Sequence, residues 1–568
     1  MRPLELSDPS AAEVVGGLLA ARGLPVTRDD VTSVQEVLAN MRAKLHALRG
    51  VPLSYVEPTI EPAAGQQWLT DAALAPVPIA DARGAECWPD EPSASEPAMG
   101  LTDLGVGQLI ALYRSRDVSP VEVLAACRER IQELDPSVGA IVTETGHRAT
   151  SAARESERRW RDGVARSFDG IPFGVKDIIE TAGVRTTGGS RLFADHVPRV
   201  TAVSVARLQE QGAVMLAKVH TYEFASSQRS DGNGSNPWDL SRTPGGSSEG
   251  SGAAVAARFF PLAIGTDTGG SIRVPSAFCG VVGFKPTHGR VPRHGVMPLS
   301  WTMDHVGPMT RSVVDAARAL TVMAGHDVRD PTSSRAPVPR YDIALDRGIN
   351  GLRIGVPPAW FFDGSDPQVA AVARAAIDVL VGLGAEAVDV DIPSAELAEA
   401  ASWLIQMGER ASLHDEHLGS MHDYAPLNAI GLAASQLVPA GDYLRALRIR
   451  RKLQDELSAA FAQTDVLVAP GPVCVAPRLA DFRAEVGDRT FPWLQVVTRN
   501  TRIFSLTGVP TLAVPAGFDA RGLPIGIQIA GPPHADDLCL RVGYAYQQVT
   551  DWHRRRPPLV AADIASTS

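Results

Sequence analysis

Two serine-bearing glycine runs and two lysines carry the chemistry that this sequence offers. "TPGGSSEGSG" occupies residues 243–252 and "TDTGGSIRVP" residues 266–275, with an apolar segment between them. Runs of this kind serve as turns, as phosphate cradles or as parts of a reaction centre. The phosphate-binding pattern G-x-x-x-x-G-K-[ST] is absent. Gly246 to Gly250, "GSSEG", fits G-x-S-x-G with Ser248 in the middle. That elbow needs a strand running straight into the serine, and "SNPWDLSRTPGG", with two prolines and no alternation, is not one. The second run has a better context. "FFPLAIGTD" reads as a buried strand and "SIRVPSAFCG" as the start of a helix. Ser271 then sits where a strand gives way through "TGG" to a helix N-terminus. Glycines there let several N–H groups point at one spot, and the helix start favours negative charge. Those are the requirements of an oxyanion hole beside a nucleophile.

A serine hydroxyl needs a base. No histidine lies close to either run; the nearest downstream is His288. A lysine can serve if burial lowers its pKa from about 10.4 by several units, so that the amine is neutral near pH 7. Lys176 in "GIPFGVKDII" and Lys218 in "VMLAKVH" both end apolar runs. The residues alone leave both open, and a structural lysine with a buried stem is the plain alternative for each.

The elements around these residues alternate. From residue 100 onward, helical patterns such as "PVEVLAACRERIQEL" and "DPQVAAVARAAIDVLVGLG" alternate with short apolar runs. The strand-like runs are "VGAIVTET", "GIPFGVKDII", "AVMLAKVH", "GLRIGVP", "EAVDVDIP", "DVLVAP", "TLAVPAG" and "IGIQIAG". This predicts an α/β fold, one large sheet covered by helices on both faces, over residues 100–560. Ahead of it, residues 1–81 read as a small α-helical domain. Val31, Val34, Leu38, Met41, Leu45 and Leu48 form an amphipathic stripe, with Thr27 as its N-cap, and an earlier helix is expected in "AAEVVGGLLAARG". Helices this short must bury their stripe on the main body or on another copy of the chain. Residues 82–99, rich in Pro, Ala, Ser and acids, read as a linker.

Composition narrows the classes. The chain has 568 residues, 45% hydrophobic and 21% charged, with a net charge of −10. An acidic balance argues against a nucleic-acid surface. Five scattered cysteines form no CxxC pair, so neither a disulfide framework nor a thiolate zinc site is indicated. No apolar stretch is long enough to span a bilayer, and a reducing cytoplasm is the default setting. His414, His417 and His422, beside Asp415 and Glu416, read as a polar helix end rather than a metal site. Cys279 reads as a buried thiol, and "GDYLRALRIRRKLQDELSAAF" as a solvated helix face.

Taken together, "TPGGSSEGSGAAVAA", "GTDTGGSIRVPSAFCGVVGFKPTHGRVP" and "GIPFGVKDII" resemble the amidase signature family of serine hydrolases. The likeness continues through "DHVGPMTRSV", "FAQTDVLVAPGPVCVAP", "SLTGVPTLAVPAG" and "LPIGIQIAG", covering roughly residues 100–557. The resemblance implies a large mixed sheet and a Ser–cisSer–Lys triad. By motif position Ser271 is the nucleophile, Ser247 the bridging serine after a cis peptide, and Lys176 the base; Lys218 becomes structural. It further implies oxyanion donors from the backbone of Thr268, Gly269, Gly270 and Ser271. Ser248, Asp267 and Arg273 match the supporting network, and no cofactor or metal is implied. One departure stands out: the family pattern is "GGSSGGS", and Glu249 replaces a glycine. The function implied is hydrolysis of a small-molecule amide, with release of ammonia or an amine. The alternatives are an A-type subunit of a tRNA-dependent transamidation complex, or ester and carbamate cleavage by the same triad. The expected partners are a small-molecule amide and a second copy of the chain, docked through the N-terminal helices, with no nucleic acid and no membrane.

Overall fold

The computed structural model describes residues 15–20, 28–53, 100–227 and 234–560. Its centre is one eleven-stranded sheet in the order β1-β3-β2-β4-β6-β5-β12-β13-β9-β7-β8. The strands are β1 (Ile141–Glu144), β2 (Pro172–Lys176), β3 (Val214–Val219), β4 (Leu262–Asp267), β5 (Val282–Lys285), β6 (His305–Thr310), β7 (Arg353–Val356), β8 (Glu386–Asp389), β9 (Val466–Pro470), β12 (Thr511–Phe518) and β13 (Pro524–Ala530). Strands β10 (Arg483–Val486) and β11 (Arg489–Pro492) form a separate hairpin. The sheet is mixed: β3, β2 and β4 run parallel, as do β9, β7 and β8, while the segment from β4 through β9 is antiparallel.

Every residue of β2, β3, β4, β5, β6, β9 and β13 is buried. Since successive side chains of a strand point to opposite faces, helices cover both faces. Among them, Arg273–Cys279 packs on β5, β12 and β13, and Pro367–Gly382 packs on β9, β12 and β13. Among the described residues no helix is long and apolar enough to cross a membrane.

The structure contains every strand expected from the apolar runs, and adds β5, β6 and the hairpin. β6 reads "HVGPMT", with a proline opposite Ile264 of β4. Proline cannot donate to a ladder, so this stretch does not read as a central strand. It is one, with neighbours on both sides.

Helix Arg28–Arg49 packs on helices Leu397–Leu413, Pro426–Ser435 and Ala440–Phe461 of the same chain. Val34, Leu38 and Leu48 are buried there. Arg49 Nη2 pairs with Asp442 Oδ2 at 2.8 Å, and Arg448 donates to the Leu53 carbonyl. These three members of the stripe thus have their partner surface within the chain, which removes the physical reason for expecting a homodimer through them; the side chains of Val31, Met41 and Leu45 lie outside the described ones. Helix Ala440–Phe461 has the expected solvated face, where Arg451 and Asp455 are exposed, but its other side seats the N-terminal helix, and its Arg450 is fully buried, donating to Thr302 Oγ1 at 2.9 Å. Of the earlier helix, residues 15–20 are helical; the rest of it, Thr27 and the 82–99 linker lie outside the described residues.

Gly174 of β2 lies under the buried Phe260 ring, where an added Cβ would come within 2.3 Å of Cζ. Gly174→Ala is therefore expected to destabilise the protein by about 1–3 kcal/mol through overpacking. A denaturant midpoint unchanged from wild type would contradict this.

Candidate active site

Lys176 is the last residue of β2, and Thr266 and Asp267 are the last two of its parallel neighbour β4. Parallel pairing brings these carboxyl ends to the same edge of the sheet, where open α/β sheets bind ligands. The Lys176 side chain is fully buried. Its Nζ lies 2.7 Å from Ser247 Oγ and 2.8 Å from Thr266 Oγ1. Burial lowers its pKa to about 7, against the raising effect of the Asp267, Asp304 and Glu249 charges. A neutral amine has two N–H donors and one lone pair. Donation to Thr266 leaves that lone pair able to accept from Ser247.

The first glycine-serine run comes to the same place. The Gly246–Ser247 peptide is cis, and the Ser247 carbonyl accepts from Tyr222 N at 3.1 Å. A Cβ on Gly246 would fall 2.3 Å from Cζ of the Tyr222 ring. Ser248 Oγ donates to Thr266 O at 3.1 Å and accepts from Thr266 N at 3.2 Å, which ties this loop to the end of β4. Ser248 N also donates to Ser271 O at 3.3 Å, joining the two runs. Across residues 243–292 Ser271 is the one residue that is not buried.

Between β4 and Ser271 the chain turns around Asp267. Its Oδ1 accepts from Gly270 N at 2.8 Å and Ser505 Oγ at 2.8 Å, and its Oδ2 from Ile272 N at 3.2 Å. Arg273 binds both oxygens at 3.0 Å and reaches on to Ser505 Oγ and Gln528 Oε1. Burial works against the Asp267 charge, yet the Arg273 guanidinium outweighs it and holds the carboxyl at about 2. Gly270, at φ +137°, occupies backbone space that favours glycine, and its Cβ position falls 2.4 Å from Thr501 Oγ1. Thr501 Oγ1 donates to Gly269 O at 2.6 Å. Since the Gly270 N–H is given to Asp267, it is not free for an oxyanion; Thr268, Gly269 and Ser271 are the remaining backbone donors of the four expected.

The Amidase family model matches residues 122–540. The chain belongs to the amidase signature family. The A subunit of glutamyl-tRNA(Gln) amidotransferase from Geobacter sp. (strain M21) is 37% identical over 492 residues, which is 81% of this chain and all of that protein. The corresponding protein of Myxococcus xanthus (strain DK1622) is 39% identical over 491 residues, again 81% of this chain and all of that protein. Among solved structures, a chain of a vestigial protein complex linked to the origins of an s-triazine catabolic enzyme superposes with a TM-score of 0.75 at 35% identity, covering 78% of this chain and 98% of that one. Native peptide amidase from Stenotrophomonas maltophilia superposes at 0.70 with 31% identity, covering 80% and 98%. These relatives overturn the expected partner set of a small molecule and a second copy, with no nucleic acid. The amidotransferase relatives are subunits by name, and named for a tRNA.

Within this amidase-signature chain the other sequence candidates fall elsewhere. Lys218 donates to Ile179 O and to Thr186 Oγ1 at 3.1 Å and lies 3.6 Å from Asp177 Oδ1, all away from the serines. Cys279 is buried, with its thiol pKa pushed up by burial and its Sγ against Pro244 O. His414 Nδ1 meets Tyr424 Oη at 2.9 Å and its ring packs on Phe224, while His417 packs on Phe193. Among the described residues no group of three His, Cys, Asp or Glu side chains is placed to hold a metal.

Among the residues of the site that escaped the sequence reading are Thr266, Asp304, Thr501 and Ser505. Thr266 stands beside Asp267 in the second run, where the period-2 pattern of β4 puts it on the opposite face from Asp267. Asp304 accepts from Thr268 Oγ1 at 2.6 Å and from the N–H groups of Leu299 and Ser300; burial raises its pKa to about 6. Asp304 opens the run "DHVGPMTRSV", but its distance in sequence from the serines gives no hint that it joins their site. Replacing Arg273 by Ala strands the Asp267 charge in the interior. The expected loss is about 3–5 kcal/mol of stability, read by chemical denaturation, and a loss below about 1 kcal/mol would contradict the network's role.

Proposed function

We propose that the chain cleaves the C–N bond of a carboxamide by acyl transfer to Ser271. Neutral Lys176 takes the proton of Ser247, Ser247 takes that of Ser271, and Ser271 Oγ attacks the carbonyl carbon. The backbone N–H groups of Thr268, Gly269 and Ser271 hold the oxyanion that forms. The C–N bond then breaks, the leaving nitrogen regains a proton through Ser247, and water releases the acyl group from Ser271. The observation that carries this reading is the buried Lys176 amine, 2.7 Å from Ser247 Oγ and oriented by Thr266.

For the substrate, the reading best supported is that of an A-type amidotransferase component, freeing ammonia from glutamine for a tRNA-bound acyl group within a complex. Its support is the full-length match to the Geobacter and Myxococcus proteins. Hydrolysis of a small-molecule amide by the chain alone is the second reading. One observation favours it: helix Arg28–Arg49, outside the family match, already covers the three-helix face of the catalytic body. Glutamine turnover separates the two. Under the first reading it is low for the purified chain and rises when the other amidotransferase components and glutamyl-tRNA(Gln) are added; no response to them, beside rapid turnover of simple amides, selects the second.

Lys176→Ala is expected to lower kcat/KM by about 10²–10⁴-fold, the usual contribution of a general base. Full activity in that variant would end the proposed relay.

The pH dependence has a definite sign. Only the uncharged Lys176 amine accepts a proton, so kcat/KM should rise through a limb near the Lys176 pKa of about 7. Three carboxylates, Asp267, Asp304 and Glu249, oppose the lowering. Glu249→Gln removes one of them, so the limb should move to lower pH. A limb that stays in place or moves to higher pH would contradict the assignment.

A further inference from the structure

Lys44, on helix Arg28–Arg49, touches a chain of side chains that ends on the oxyanion segment. Its Nζ pairs with Glu399 Oε1 and lies 5.5 Å from the centroid of the Trp403 ring. The same ring receives a second cation, Arg502, whose Cζ is 4.6 Å from the centroid. Arg502 is buried and fixed, with Nε donating to Thr498 Oγ1 at 2.9 Å and Nη1 to Ser402 Oγ at 3.0 Å. Its guanidinium stands against Gly269, where an added Cβ would lie 3.0 Å from Nη1. The preceding residue, Thr501, holds the Gly269 carbonyl.

Two cations on one indole repel each other, and the arrangement holds because Glu399 lies between them in charge. Burial lowers the Arg502 pKa to about 10, opposed first by Glu399 and then by Asp267. Lys44 likewise is lowered by burial, opposed by Glu399. A helix that merely covered an apolar face would need Val34, Leu38 and Leu48, which are buried. It would not need a partly buried ammonium aimed at the one aromatic ring that also carries Arg502.

We propose that helix Arg28–Arg49, which precedes the family match, braces the oxyanion segment, with Lys44 as a positioning residue acting through Glu399, Trp403 and Arg502 on Gly269. The inference rests on the reading of Ser271 as nucleophile and is independent of which amide is cleaved.

The test uses the full-length chain and a fluorophosphonate, which acylates an activated serine whatever the enzyme's amide substrate. Wild type must first lose activity with the label on Ser271; labelling elsewhere would sink the catalytic reading rather than the brace. Lys44→Met keeps the aliphatic stem and removes the charge. It is expected to slow Ser271 phosphonylation by more than about threefold, in the range of a cation–π contact, and to lower kcat on any turned-over amide more than it raises KM. Lys44→Arg should restore the rate. Glu399→Gln, which leaves the helix packing in place, should slow it too, and is read instead if Lys44→Met fails to fold. A change smaller than about threefold in the folded variants, or a loss that Lys44→Arg does not recover, overturns the brace.

Discussion

The site depends on keeping one lysine amine dry. Lys176 ends a strand buried on both faces, and its side chain exposes no surface to the bulk water that would favour its charged form. Two hydroxyls replace that water. Thr266 Oγ1 accepts a hydrogen bond from the amine and Ser247 faces its lone pair, at 2.8 and 2.7 Å. Burial of this kind shifts a lysine by several units. The shift here, from 10.5 to about 7, makes the amine a usable base at neutral pH.

The surroundings of that amine are not apolar, and the balance is what places its pKa near 7 rather than lower. Asp267 keeps its charge because Arg273, Ser505 and backbone N–H groups surround it. The same carboxylate folds the chain between β4 and Ser271, so one group both raises the Lys176 pKa and shapes the turn that presents Ser271. Glu249 places a buried carboxyl group at the first turn of helix Glu249–Ala256, immediately after the two serines, where its effect is to raise the Lys176 pKa. Its helical position answers the question raised by its sequence: no positive φ is needed there, so a side chain is tolerated. Its effect is electrostatic.

Much of this was legible from residue types. "GIPFGVKDII" and "FFPLAIGTD" read as strands, and they are β2 and β4, the neighbours whose parallel ends bring Lys176 to Thr266. What residue types alone left open was the choice between Lys176 and Lys218. Both are fully buried at strand ends, and their surroundings differ only in three dimensions: hydroxyls of the serine loops for one, Asp177 and a carbonyl for the other. β6 stayed hidden because Pro308 breaks the pattern of a central strand, and with it went Asp304, one residue before its start. The N-terminal stripe was visible as a helix, but an amphipathic pattern says only that a face needs covering, not by what. The partner proved to be this chain's own helices. Lys44 carries no motif at all, since its role comes from contacts with residues more than 350 positions away.

A direct titration of Lys176 tests the central claim most simply. In the folded Ser271→Ala protein with isotope-labelled lysine side chains, the Lys176 resonance should titrate with a midpoint near 7, more than two units below an exposed lysine. A midpoint above 10 would mean a charged ammonium at working pH, and a relay that begins with a neutral amine would not stand.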